Sequence, residues 1–291
     1  MIKTILVPGL NSVCSPIALD LGLKVARQFD GHLACLHVHP DARELSRLTT
    51  SLDSQSGMFA GQIWDALVAG DKTCADRSKK TFDVFCSREK LCGTPSEKSG
   101  VTAVWNEVEG NNRDAIVEAS HYYDLVVFAR PHPPEDLTSS GLGDILMECG
   151  RPLLLAPSHA CVNPVSTIVV AWKPTAAAAR AVRSALPLLA KAETIHVLGV
   201  TEDSEDRQYS VSSNELLCDY LRWHGLKPQS GQVEARERNA CDVLLEAAHE
   251  KLHGGLLVMG GYGHSRAREF IFGGFTRQVL RSAPLPILIC H

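Results

Sequence analysis

Residues 256–286 read LLVMGGYGHSRAREFIFGGFTRQVLRSAPLP. The apolar run Leu256, Leu257, Val258, Met259 stops at Gly260 and Gly261, and Gly263 follows. A strand covered on both faces reads as an unbroken apolar run, so a short buried strand is expected here. Glycines just past its end let the main chain approach a ligand that a Cβ would hold off. A basic segment with His264, Arg266 and Arg268 comes next. Gly273 and Gly274 then precede a helical pattern with apolar Phe275, Val279 and Leu280. Free N–H groups at a helix start favour an anion. Strand, glycine loop and helix start together predict a site for nucleotide phosphates.

Outward from that stretch, the chain repeats itself. Thr4–Val7 reads as a first strand, with Pro8, Gly9 and Asn11 as its turn. Behind Pro16, apolar Ile17, Leu21, Val25 and Phe29 recur at four-residue spacing, which predicts a helix over 16–29 ended by Asp30 and Gly31. HLACLHVHP is the second strand, and 41–93 is helical with a polar break at 54–61. A third strand starts at Val101, and Asn111 or Asn112 caps the next helix. DLVVF (124–128) and RPLLLAP (151–157) are strands four and five, with a short helix over 143–149 between them. After a linker-like 158–166 the order restarts, TIVVAWKPT matching KTILVPGLN. An Ala-rich helix is expected over 176–191, kinked at Pro187. Strands follow at 194–200, 231–237, 255–259 and 286–290, with helices over 213–224 and from Asn239 or Asp242.

Aligned on apolar runs, Ile5 falls on Ile168, Phe128 on Met259 and Pro152 on Pro286. The expected fold is α/β: two doubly wound five-stranded parallel sheets, each with strand order 3-2-1-4-5. The expected domains are 1–158 and 159–291. Ligands of such sheets bind beyond the carboxyl ends of the strands, where strand order reverses. That point lies between strands one and four, and in the second copy it sets Trp172–Lys173 beside Gly260–Gly263.

The spacing Gly260-x2-Gly263-x9-Gly273, with GGYGHSR around it and APLPILI after it, resembles the nucleotide signature of the universal stress protein family. That signature is G-x2-G-x9-G followed by Ser or Thr. The resemblance implies a tandem member with a Rossmann-like, adenine nucleotide alpha hydrolase-like fold. It also implies ATP, with Mg2+, in the C-terminal copy. Adenine is expected near Val200, with Met259 and Gly260 lining the nucleoside. Phosphates are expected on Gly263, Gly273, Gly274 and Thr276. Two positions depart from the pattern. Gly274 stands where the hydroxyl residue belongs, Thr276 lying two residues on. Lys173 replaces the aspartate that ends the first strand in ATP-binding members. A carboxylate accepts from ribose or adenine donors; an ammonium cannot, and would meet phosphate instead. In the first copy Ala129, Arg130, Pro131 and His132 stand opposite the glycines, and its prolines remove backbone donors. A degenerate scaffold is expected there, with a different ligand at Arg130 and His132 as the alternative.

Three function classes remain open on the sequence: a non-catalytic ATP-binding regulator, a weak ATPase or autophosphorylating enzyme, and an interaction module whose glycines serve only the fold. No G-x4-G-K-[ST] element occurs, no Ser-His-Asp arrangement stands out, and catalytic residues are not assigned. Asp203, Glu205 and Asp206 either approach a metal on the phosphates or are solvated acids. A net charge of −4 gives no case for nucleic acid or an anionic membrane. No apolar run approaches the roughly 20 residues of a membrane span, so a cytoplasmic protein is expected. The apolar fifth strands, 151–157 and 286–290, read as sheet edges that invite pairing. This predicts an internal pseudo-dimer and allows a homodimer.

The ten cysteines show no C-x-x-C spacing. Those in apolar strands are expected to act as small hydrophobes, and Cys86 and Cys92 are the redox or metal alternative. Alternation puts His37 and His39 on one strand face. No third ligand is in view, so no metal is expected there. Trp172 reads as a packing residue and Tyr262 as packing or loop surface, and His196 lies on or beside a strand.

Overall fold

The computed structural model describes residues 1–9, 15–41, 60–91, 100–130, 141–159, 163–201, 206–261 and 274–291, in two compact units. One unit is Lys3–Phe128; the other is Ala129–His291 with Met1 and Ile2.

In the unit Lys3–Phe128 the elements are β1 (Thr4–Pro8), α1 (Pro16–Phe29), β2 (His32–His39), α2 (Ala60–Glu89), β3 (Thr102–Glu109), α3 (Asn112–Ser120) and β4 (Leu125–Ala129, whose last residue opens the other unit). Their pairing is parallel throughout, in the order β3-β2-β1-β4. The apolar runs are buried as expected: Ile5, Leu6, Val7, Leu33, Cys35, Val126 and Phe128 are at most 1% exposed. Each such side chain contributes roughly 1.5–3 kcal/mol of transfer free energy. Helix α1 starts with Pro16 in its first turn and ends where Asp30 turns left-handed, its N–H returning to the Ala26 carbonyl. The cap of α3 is Asn111, whose side chain accepts from the Arg113 and Asp114 N–H groups. Asp124 Oδ2 accepts from the backbone N–H groups of Lys3 at 2.7 Å and Thr4 at 3.0 Å, which ties the entry of β1 to β4. Helix α2 is continuous for 30 residues from Ala60, so Gly61, read as part of a break, is helical; 51–59 lies outside the described residues.

The second unit holds α4 (Leu142–Glu148), β5 (Leu153–Ala156), β6 (Thr167–Ala171), α5 (Ala176–Leu189), β7 (Thr194–Thr201), α6 (Asp206–Trp223), β8 (Pro228–Glu234), α7 (Ala240–Leu245, continued by a π-helical turn to Lys251), β9 (Leu256–Gly260), α8 (Gly274–Ser282) and β10 (Ile287–Cys290). The parallel order β8-β7-β6-β9-β10 is 3-2-1-4-5 counted within this copy. A sixth strand joins it: β5 pairs antiparallel with β10, Leu154 opposite Leu288. The two fifth strands read as edges therefore cover each other, and all of β10 is buried.

Three boundaries differ from expectation. Helix α6 begins at Asp206, inside the segment read as a polar loop. Strand β8 begins at Pro228, which an edge strand tolerates at its first residue. Helix α5 runs through Pro187, as expected, but ends at Leu189, two residues short of the expected Lys191. Pro187 sits in the last turn, where only one intrahelical donor is lost. Among the described residues no helix is long and apolar enough to cross a membrane.

Candidate functional site

The carboxyl ends of β7, β6 and β9 are neighbours in the second sheet, with Val169 opposite His196 and Val170 opposite Val258. Along this edge stand Val200, Lys173 two residues after β6, Met259 and Gly260. Val200 is half-buried, Lys173 is exposed, and Met259 is buried in the sheet. Gly260 lies against the first turn of α5. A Cβ there would come 2.4 Å from Ala178 N and 2.8 Å from Ala177 C. The same Ala178 N–H donates to Thr175 Oγ1 at 3.2 Å, the cap of α5. Strand β9 thus delivers its last residue onto a capped helix start, the place where peptide dipoles present positive charge.

The neighbouring Gly261 donates its N–H to the Cys290 carbonyl, and its α-carbon faces Ile289 and Leu146. Trp172 packs: its indole N–H donates to Ser213 Oγ at 2.9 Å. Gly274 and Thr276 belong to α8 and are not on the strand edge. Gly274 is exposed with open space at its α-carbon, while Thr276 is buried in the first turn. Gln278 ties α8 to α7 by donating to Asp242 Oδ1 at 3.1 Å. A surface groove of about 500 Å³ follows α8, lined by Gly274, Arg277, Gln278, Arg281 and Ser282. Tyr262, Gly263, His264, Arg266, Arg268, Gly273, His132, Asp203, Glu205 and Cys92 lie outside the described residues.

Arg130 does not wait for a ligand. Its guanidinium donates to the Ala283 carbonyl and, at 3.5 Å, to the Leu285 carbonyl. Burial lowers its pKa to about 10, so it remains charged at neutral pH. Its Nε is buried without a partner, and His132, the other residue of the alternative ligand site, lies outside the described residues.

A second cluster lies in the other unit, at the carboxyl end of β2. His37 is 1% exposed, and its Nε2 lies 3.1 Å from Asp71 Oδ1. His39 Nδ1 lies 2.6 Å from Asp71 Oδ2, and its Nε2 lies 3.4 Å from Glu107 Oε2. Trp105 donates its indole N–H to Glu107 Oε1 at 2.6 Å and stacks on His37. Burial pulls the His39 pKa down, but the hydrogen bonds to Asp71 and then Glu107 outweigh it, and the net shift is upward. Glu107 is lowered, first by the Trp105 hydrogen bond and then by His39, against its own desolvation. The sequence offered no third ligand beside His37 and His39; folding supplies Asp71 from α2. In sequence it is one of five acids on a long, weakly patterned helix, with nothing to single it out. Of the cysteines, Cys35, Cys149, Cys218, Cys241 and Cys290 are buried, as apolar-strand and core thiols should be.

Residues 164–291 match the universal stress protein family. The whole chain is similar in fold to the universal stress protein from Archaeoglobus fulgidus DSM 4304, with 16% identity, TM-score 0.66, and coverage of 99% of this chain and 96% of that one. It is similar to a putative universal stress protein from Pseudomonas aeruginosa UCBPP-PA14 at 17% identity and TM-score 0.57, covering 99% and 93%. A functionally unknown protein from Pseudomonas aeruginosa PAO1 matches at 16% identity and TM-score 0.58, covering 99% and 92%. The chain matches no curated protein in sequence. Residues 164–291 are a universal stress protein domain, and the strands before them repeat its β-order in a tandem arrangement.

Proposed function

We propose that the second copy, 159–291, binds ATP with Mg2+ without turning it over, and that the occupied state regulates a partner surface during stress in the cytoplasm. The observation that carries this reading is the contact of Gly260 with the start of α5, at the point where strand order reverses between β6 and β9. A nucleoside would lie along Val200, Met259 and Gly260, with Lys173 turned to phosphate. The phosphates would rest on Gly263, Gly273, Gly274 and Thr276. The first copy, 1–158, serves as the partner that completes an internal pseudo-dimer, consistent with the β5–β10 pairing. A homodimer of whole chains is a further step of the same reading.

One observation favours a second reading, an interaction module without nucleotide. The close approach to the main chain of Ala177 and Ala178 already requires a glycine-sized residue at Gly260, whatever binds there. Calorimetric titration of the full chain with ATP and Mg2+, with phosphate release followed in parallel, separates the readings. Saturable binding without release supports the regulator. Release above the blank makes the protein an ATPase. No binding heat, or affinity unchanged in a natively folded Gly263→Val variant, removes the nucleotide site.

A further inference from the structure

Among the described residues the β2 cluster has no counterpart in the second copy, although the scaffold is the same. Ile5 pairs with Leu33, and Ile168 pairs with Ile195. Counting along both strands, Gly199 and Thr201 occupy the positions of His37 and His39. Across the sheet, Glu107 faces His37 and Gln232 faces Gly199. In the second copy Gln232 donates to Thr201 Oγ1 at 3.3 Å, a neutral pair. The fold is therefore stable with a glycine, a hydroxyl and an amide here. Two imidazoles and two carboxylates are an addition that the architecture does not require.

We propose that His37, His39 and Asp71 form a binding site for a late first-row divalent cation of the zinc type, with Glu107 orienting His39. One ring nitrogen each of His37 and His39 and a carboxylate oxygen of Asp71 lie within 4.8 Å of one another, and the nitrogens turned to Asp71 are Nε2 of His37 and Nδ1 of His39. Bonds of about 2.0–2.2 Å set neighbouring donors roughly 3.0–3.5 Å apart, so Asp71 has to withdraw from His39 by less than about 1 Å and the widest-set donors have to close by up to about 2 Å. Two imidazoles with one carboxylate and no thiolate suit zinc, cobalt or nickel rather than calcium or magnesium. Three protein ligands leave a position open to water, and the site is reached past His39, whose side chain is 29% exposed. With the cation on Nδ1, His39 keeps its proton on Nε2, aimed at Glu107. That is the carboxylate–histidine–metal relay that fixes tautomer and ring orientation. Glu107 is itself anchored by Trp105. His37 is buried with Nδ1 unpartnered, so Asp71 is the one polar anchor of a core imidazole among the described contacts.

The test uses the full-length chain without a histidine tag, stripped with a chelator and titrated with Zn2+ against a chromophoric competitor. The expected result is one Zn2+ per chain on the wild type, with affinity lowered about tenfold or more in Asp71→Asn and in His39→Gln. His37 is left intact because it is core. Circular dichroism of both variants should match the wild type, since the second copy does without these groups. Zn2+ should raise the wild-type Tm and fail to raise it in either variant. Co2+ should give a ligand-field spectrum that disappears in the same two variants. The proposal is overturned if the wild type fails to hold Zn2+ against the competitor. It is equally overturned if folded Asp71→Asn and His39→Gln bind Zn2+ as the wild type does, which would place the metal on other cysteines or histidines.

Discussion

Gly260→Ala tests the geometry at the head of α5 directly. The added methyl would sit 2.4 Å from Ala178 N and 2.8 Å from both Ala177 C and Ala178 Cα. Ordinary contact starts at 3.4 Å, so the strand end and the helix must part by about 1 Å. All three atoms are main chain, and no rotamer change relieves them. The helix cannot slide freely, because Thr175 caps it and Ala177, Ala178, Ala181 and Val182 are buried. Overpacking of this kind costs about 1–3 kcal/mol, and a rigid main-chain clash belongs at the upper end. Urea denaturation should show a loss of about 2–3 kcal/mol, and the Tm should fall by about 2–4 °C per kcal/mol. Amide exchange should quicken in residues 176–182. Gly274→Ala is the control: nothing lies within 4 Å of its α-carbon, so the methyl meets no obstacle. If Gly260→Ala unfolds within about 0.5 kcal/mol of the wild type, or no earlier than Gly274→Ala, the close packing of β9 on α5 is refuted.

Four further outcomes follow from the contacts described. Removing the guanidinium in Arg130→Met leaves the Ala283 and Leu285 carbonyls without their donor, and chemical denaturation should register a loss of about 1.5–3 kcal/mol. Thr175→Ala and Asn239→Ala each delete a helix cap and should each cost about 1 kcal/mol by thermal denaturation; a combined variant that loses much less than the sum would speak against independent caps. Burial raises the Cys241 thiol to about 12 and the Cys290 thiol to about 11, so mass spectrometry after iodoacetamide treatment of the native protein at pH 8 should find both unmodified; rapid labelling would contradict their burial. Hydrogen bonds from Lys251 and then Arg238 lower Glu246 to about 2 from 4.5, so its ion pairs are fully present above 4.5 and are lost as pH falls toward 2; an NMR titration of its side chain with a midpoint near 4.5 would refute the pairing.

The fold was legible because its strands are covered on both faces. Leu256–Met259, Leu125–Phe128 and Leu153–Leu155 announce themselves as apolar runs, and their order recurs in the second half. Caps were legible too, since Asn111 and Asn239 do what their position suggests. What sequence could not show were contacts set by tertiary structure. Asp206–Ser210 is too polar to betray the start of α6, and Pro228 hides an edge strand behind a residue that interior strands exclude. Asp71 lies 32 residues from His39, on a helix with little periodicity, so nothing local pairs them. The glycine segment was legible as spacing, and Gly260 at its start owes its small size to α5 as well as to any ligand.

The antiparallel seat of Leu153–Ala156 on Ile287–Cys290 has a bearing on stoichiometry. In a protein made of separate single copies, such a seam would assemble and dissolve with dilution. Here both strands are threaded on one polypeptide, so each meets its mate at a local concentration fixed by the tether and indifferent to the amount of protein in the cell. Expression level then has no say in whether the seam is closed. The one rival arrangement is reciprocal exchange of that strand between two chains, which leaves every backbone hydrogen bond of the seam in place and grows only with crowding.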